Sequence, residues 1–235
     1  MEEKESKNKF QLIALWLIVA SWILRGLTTG EFLDVSGLLF LIAIFLYKLI
    51  GKYNPTEVLK IGGIKRAKIT TLLLYVLGTI LISFVLCSWI LPKILNVDGN
   101  RIAQLSRSFL EAGKSKKYPK PIAMINLLNY FLYGTFMEEF IFRGLILRRL
   151  LLKYHSNVAN IIQAVIFGSA HLLGVMSMPT NYKIFMFISP TICGLMLGYA
   201  YIKTDNNLTI PWIAHYLVNT IPLIVYFIFG MIMVA

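Results

Sequence analysis

Met137-Glu138-Glu139-Phe140-Ile141-Phe142-Arg143-Gly144 places two carboxylates and a guanidinium directly after a run, Pro121 to Phe136, that carries no charge at all. A charge held at bilayer depth costs about 2.5 kcal/mol or more, and ionisable residues inside a membrane are functional candidates by default. Two readings compete. Either the three charges mark a membrane boundary, or the fold keeps them for chemistry. Their surroundings decide which.

Working outward, the chain of 235 residues is 57% hydrophobic and 14% charged, with mean hydropathy +0.71. Soluble domains run near 45–50% apolar and about a quarter charged, so the composition is that of an integral membrane protein. The net charge of +12 does not argue for nucleic acid, because the Lys and Arg residues sit between apolar runs, where membrane proteins carry them. Cys87 and Cys193 each lie inside an apolar run without a second Cys or a His at metal-ligand spacing, and read as small core or lipid-facing residues.

A hydrocarbon layer about 30 Å thick asks for about 20 apolar residues per helix. Runs at 10–27, 34–50, 69–91, 121–137, 158–174, 184–202 and 208–233 meet or approach that length. A further apolar piece at 139–152, carrying Arg143, Arg148, Arg149 and Lys153, is expected as a short or interfacial eighth helix. Lys4, Lys7 and Lys9 before the first run resemble a signal peptide, but no small-x-small cleavage site follows, which favours an uncleaved first span. Each span must be helical, since lipid offers no partner to a free backbone group. The expectation is an all-α polytopic transmembrane helix bundle of seven to eight spans, a single integral membrane domain over 1–235. Its N-terminal spans fill 10–91, and its polar motifs fall within 121–220.

Orientation stays open on charge alone. The amino terminus and loop 51–68, with Glu57 as its one acid, favour the cytoplasm. Simple alternation then puts the equally basic loop 92–120 outside, unless residues 101–112 form an interfacial helix with Ile102, Leu105, Phe109 and Leu110 on one face. Within 184–202, Gly194 and Gly198 make a GxxxG pattern suited to close helix packing. Pro222 interrupts the last span.

Three polar groups stand inside the later spans. In the first, Glu139 and Arg143 are four apart on a helix in the favourable acid-before-base order. Glu138 lies about 100° round from them and is left without that partner. In the second, Phe167-Gly168-Ser169-Ala170-His171, the histidine closes an apolar run one turn after Phe167, on a stretch thin enough for another helix to approach. In the third, His215 and Asn219 lie one turn apart, so both can donate to one oxygen, as oxyanion stabilisation requires. Singly, each has a plainer reading: a membrane-boundary charge cluster for the first, an interfacial or hydrogen-bonded histidine for the second, and an interhelical hydrogen-bond pair for the third. Together, an acid, an imidazole and an imidazole with an amide suit water activation and a tetrahedral intermediate. Asn126, Asn129, Tyr133, Thr135 and Gln163 are further polar residues of these spans, without an assigned role.

The ordered set EExxxR, FxxxH and HxxxN on separate spans resembles the CAAX protease and bacteriocin-processing (CPBP, or Abi) family of intramembrane proteases. The resemblance covers about 121–220 and implies an eight-helix bundle with an internal polar cavity. It also implies roles: Glu138 as the water-activating base, His171 assisting, His215 and Asn219 as the oxyanion site, with Glu139, Arg143 and Phe167 in support. The expected activity is that of an intramembrane endopeptidase acting on a membrane-associated peptide or protein. Relatives are described both as metalloproteases and as glutamate proteases. There is no HExxH, and no metal cofactor is favoured; a metallo form would bind zinc through Glu138, His171 and His215 with an open fourth position. Some relatives act as bacteriocin immunity factors or scaffolds, which is the non-proteolytic alternative. The expected setting is a multi-pass protein of a bacterial cell membrane, processing peptide precursors, with the lipid bilayer and its substrate as partners and no nucleic acid.

Overall fold

A computed structural model describes residues 63–97, 120–176 and 178–229, and every segment of regular structure among them is helical. The expected spans at 10–27 and 34–50 and the interfacial helix at 101–112 lie outside the described residues. Helix α1 covers Ile69–Ile94. Helix α2 runs without a break from Lys120 through Glu139, a π-helical stretch Phe140–Leu147, and a last turn Arg148–Leu150. Helices α3 (Ser156–His171), α4 (Thr180–Lys203) and α5 (Thr209–Phe229) follow.

The piece at 139–152, expected as an eighth helix, is therefore the second half of α2. Glu139 and Arg148 flank the π-helical stretch with ordinary right-handed helical backbone angles, so no junction separates the two parts. At about 1.5 Å per residue, this continuous helix is longer than an average bilayer core. The charged Glu pair thus lies within a helix, and the basic residues Arg148 and Arg149 fall at its end.

Local sequence explains the other boundaries. Helix α4 stops at Thr204, and Asp205 and Asn206 turn the chain with φ of 56° and 55°, a conformation that short polar side chains tolerate best among non-glycine residues. Asn207 then accepts from the Thr209 backbone N–H at 3.0 Å, an N-cap type bond that starts α5. This turn is sewn to the segment leading into α1. Leu208 N–H donates to the Gly63 carbonyl (2.8 Å), and the Thr209 hydroxyl donates to the Lys65 carbonyl (2.7 Å). Gly63 has φ +88°, and a Cβ there would lie 2.2 Å from the Asn206 carbonyl oxygen, so this contact requires glycine.

Among the described residues, two helices, α1 and α4, are long and apolar enough to cross a membrane. Only 17% and 33% of their most apolar windows are buried, which separates them from the enclosed central helix of a soluble core. On α1, Leu73, Leu74, Leu77 and Leu81 are all at least half exposed. The helices close a ring: α2 against α3, α3 against α4, α4 against α1, α1 against α5, and α5 back against α2. The α3–α4 contact is the most extensive, and the small residues account for it. A Cβ on Gly194 would crowd the Ala164 Cα at 3.2 Å, and one on Gly168 would meet the Thr191 hydroxyl at 2.0 Å and the Phe187 carbonyl oxygen at 2.6 Å. The GxxxG pattern thus packs helices, as its spacing predicts. On the other side, α5 is held to α2 by Trp212, whose indole N–H donates to the Leu132 carbonyl at 3.2 Å while its ring meets Phe136 edge-on.

Candidate functional site

The helices border a partly open cavity of about 710 Å³, within the usual range of ligand sites. Its lining brings together Glu138 from α2, Phe167 and His171 from α3, and His215 and Asn219 from α5. Four residues singled out for chemistry, carried on three helices, therefore face one space. Glu139 and Arg143 stand behind it.

The two adjacent glutamates differ as helical spacing predicts. Glu139 and Arg143 have side chains with no exposure, and Arg143 Nη1 donates to Glu139 Oε1 at 2.7 Å. The Glu138 side chain is 42% exposed and opens to the cavity. Arg143 is held on two further sides: its Nη2 donates to the Gly194 carbonyl at 3.2 Å, and its guanidinium carbon lies 4.5 Å over the Phe167 ring. Phe167 is a hub. Its ring contacts Phe142, His171 and His215 edge-on, with centroids 4.9, 4.7 and 5.8 Å away.

Both histidines have one ring nitrogen committed. His171 Nδ1–H donates to the Phe167 carbonyl at 2.8 Å, and His215 Nδ1–H donates to Glu139 Oε1 at 2.8 Å. A carbonyl and an ionised carboxylate only accept, so each bond places a proton on Nδ1 and leaves Nε2 for the site. His215 Nε2 lies 3.8 Å from Glu138 Oε2, which sets this imidazole between the two carboxylates. Glu139 Oε1 therefore receives both Arg143 and His215. The second of these bonds has no sequence signal, because 76 residues separate the partners.

The opposite wall was not legible in the motifs. It comes from α1, through Leu77, Leu81, Ser83 and the π-helical segment Phe84–Ile90, which presents Phe84, Cys87 and Ser88 to the cavity. The wider π turn changes which side chains face inward, and such segments are frequent at functional sites. Cys193 of α4 joins this lining. Both cysteines border the cavity and are free thiols, and Cys193 also packs against the Val76, Leu197 and Ala214 core, in keeping with its reading as a small core residue. Among the described residues, no three His, Cys, Asp or Glu side chains are spaced to enclose a metal ion.

Helices α2, α3 and α5 bring a glutamate, two histidines and an asparagine to one cavity. Residues 120–221 match the model of the Rce1-like family, type II CAAX prenyl endopeptidase Rce1-like, and so match the CAAX protease family that the three motifs resemble. No curated protein and no solved structure gives a significant match to the chain. The matched segment begins with α2 and ends inside α5. It holds every candidate site residue, whereas α1, which closes the cavity, lies outside it.

Proposed function

We propose that the protein is an intramembrane endopeptidase that hydrolyses a peptide bond of a membrane-associated peptide or protein, using water activated by Glu138 and His171. The observation that carries this reading is the convergence of Glu138, His171, His215 and Asn219 on one cavity, with Glu139 sealed behind them by Arg143 and His215.

Glu138 takes a proton from water, and the oxygen forms a bond to the scissile carbonyl carbon. His171, with Nδ1–H tied to its own helix, presents Nε2 as an acceptor that orients the same water. The carbonyl oxygen gains the negative charge. Asn219 donates to it from its amide, and His215, fixed through Nδ1 by Glu139, turns its Nε2 side to the same oxygen. The tetrahedral intermediate collapses as the C–N bond breaks, and Glu138 returns the proton to the leaving amine. The catalytic base is thus the exposed member of the glutamate pair, and the buried member fixes the histidine.

We favour the metal-free form, since the sequence has no HExxH. In the metallo alternative, Glu138 would hold zinc through its carboxylate and His171 and His215 through their Nε2 atoms. The setting we propose is a multi-pass cell-membrane protein whose apolar cavity walls admit a substrate segment from the bilayer.

The test is peptide cleavage by the reconstituted protein. Glu138→Gln and His171→Ala should each lose about a hundredfold or more in kcat, within the usual worth of a general base. Undiminished cleavage by both variants would falsify the reading. If the native protein cleaves nothing, and Glu138→Ala retains immunity or partner binding in cells, the protein is a non-proteolytic relative. A chelator titration separates the mechanisms: activity that falls and returns with zinc identifies the metallo form.

A further inference from the structure

Two amides in α3 have no part in the mechanism above. Gln163 is fully buried and Asn160 nearly so, in a helix otherwise rich in Ala, Ile and Val. Gln163 lies two turns before His171 on the same face, with Phe167 between them. Its Nε2 donates twice, to the Gly194 carbonyl and to Asn160 Oδ1, both at 2.8 Å. Because both partners only accept, the amide has one orientation. Asn160 Nδ2 in turn donates to the Leu195 carbonyl at 2.9 Å. Gly198 makes the seat for this pair: a Cβ there would lie 1.9 Å from Asn160 Oδ1 and 2.5 Å from Gln163 Nε2.

The Gly194 carbonyl is also the acceptor for Arg143 Nη2. One backbone oxygen of α4 is thus gripped from α3 by Gln163 and from α2 by Arg143. A buried path runs from Gln163 through that oxygen to Arg143, then Glu139, then the His215 ring. We propose that Gln163 is a positioning residue for the catalytic centre. It fixes the shared Gly194 carbonyl against α3, which sets the Arg143 fork and, through Glu139, the direction of His215 Nε2. Simple helix packing does not require this device, since Gly168, Gly194 and Ala164 already bring α3 and α4 together. The activity part of the inference rests on the proposed peptidase reading; the geometric part does not.

The experiment compares the full-length reconstituted protein with Gln163→Met, which keeps the length and apolar bulk of the side chain and removes both donors. Two readouts are taken: steady-state cleavage, and side-chain nitrogen NMR of 15N-histidine protein with the three histidines assigned by single replacement. The expected result is a shift of the His215 Nδ1 resonance. A fall of about ten- to a hundredfold in kcat should accompany it, the usual worth of an orienting partner, with KM within about twofold. Unmoved His215 signals with unchanged kcat overturn the inference, as does a lowered melting temperature with both readouts unmoved. If Gln163→Met does not fold, Gly198→Ala retains both amides but displaces them, and should shift the same resonance; an unmoved signal there also overturns it. If the native protein shows no cleavage, the peptidase reading fails, while the nitrogen signals still decide the positioning role.

Discussion

Arg143→Met isolates the energetics of the site. In the native protein the Glu139 and Arg143 side chains have no exposure, and the charges are 2.7 Å apart. Removing the guanidinium leaves the Glu139 carboxylate in the interior with only His215 to answer it. Breaking a buried pair in this way costs about 3–5 kcal/mol, or about two to three and a half decades in the folding equilibrium. The Gly194 carbonyl loses one of its two side-chain donors, and the Phe167 face loses its cation. In the double variant Arg143→Met/Glu139→Gln no unpaired carboxylate is left, and the amide can still accept from His215. The double variant should therefore recover most of the loss, to within about 1–2 kcal/mol of native, because removing both charges of a buried pair is often close to neutral. The assay is equilibrium unfolding in mixed detergent micelles, followed by tryptophan fluorescence, on native, single and double variants. A single variant that loses less than about 1 kcal/mol refutes the reasoning, as does a double variant no more stable than the single.

Other outcomes follow from the same geometry. In the proposed mechanism Asn219 is one oxyanion donor, so Asn219→Ala should lower kcat by about 10²–10³ with KM little changed; a pure KM effect would assign Asn219 to substrate binding. Gly168→Ala drives a Cβ into the Phe187 carbonyl oxygen and the Thr191 hydroxyl, and should cost about 1–3 kcal/mol by the same unfolding assay. Asp205→Asn breaks an ion pair with Lys65 in which the Asp205 side chain is 95% exposed, and its unfolding curve should overlay the native one, as for most surface pairs.

The helices and the different surroundings of Glu138 and Glu139 were legible because helical periodicity is local. Four-residue spacing alone pairs Glu139 with Arg143, and the structure has that bond. The same periodicity placed His171 at the end of α3 and put His215 and Asn219 one turn apart on α5. It could not show that α2 continues through 140–147 as a π-helix, because a widened turn leaves the apolar pattern nearly unchanged. Nor could it show the bond from His215 to Glu139, the sharing of the Gly194 carbonyl, or the wall formed by α1. Those depend on which helices neighbour one another, and nothing in a single apolar chain encodes adjacency at that range.

The bond between Glu139 and His215 makes two identical neighbouring letters unequal under selection. Position 139 meets a guanidinium and an imidazole at one oxygen, so even aspartate, one methylene shorter, must abandon one of them. Position 138 faces open space, and Gln, Ala or Ser there leave the packing intact. A variant library sorted only for folded, membrane-inserted protein should thus be permissive at 138 and restrictive at 139. Sorted for cleavage instead, the same library should turn restrictive at both. The gap between the two sorts at a single position would locate the reacting carboxylate without any knowledge of the substrate.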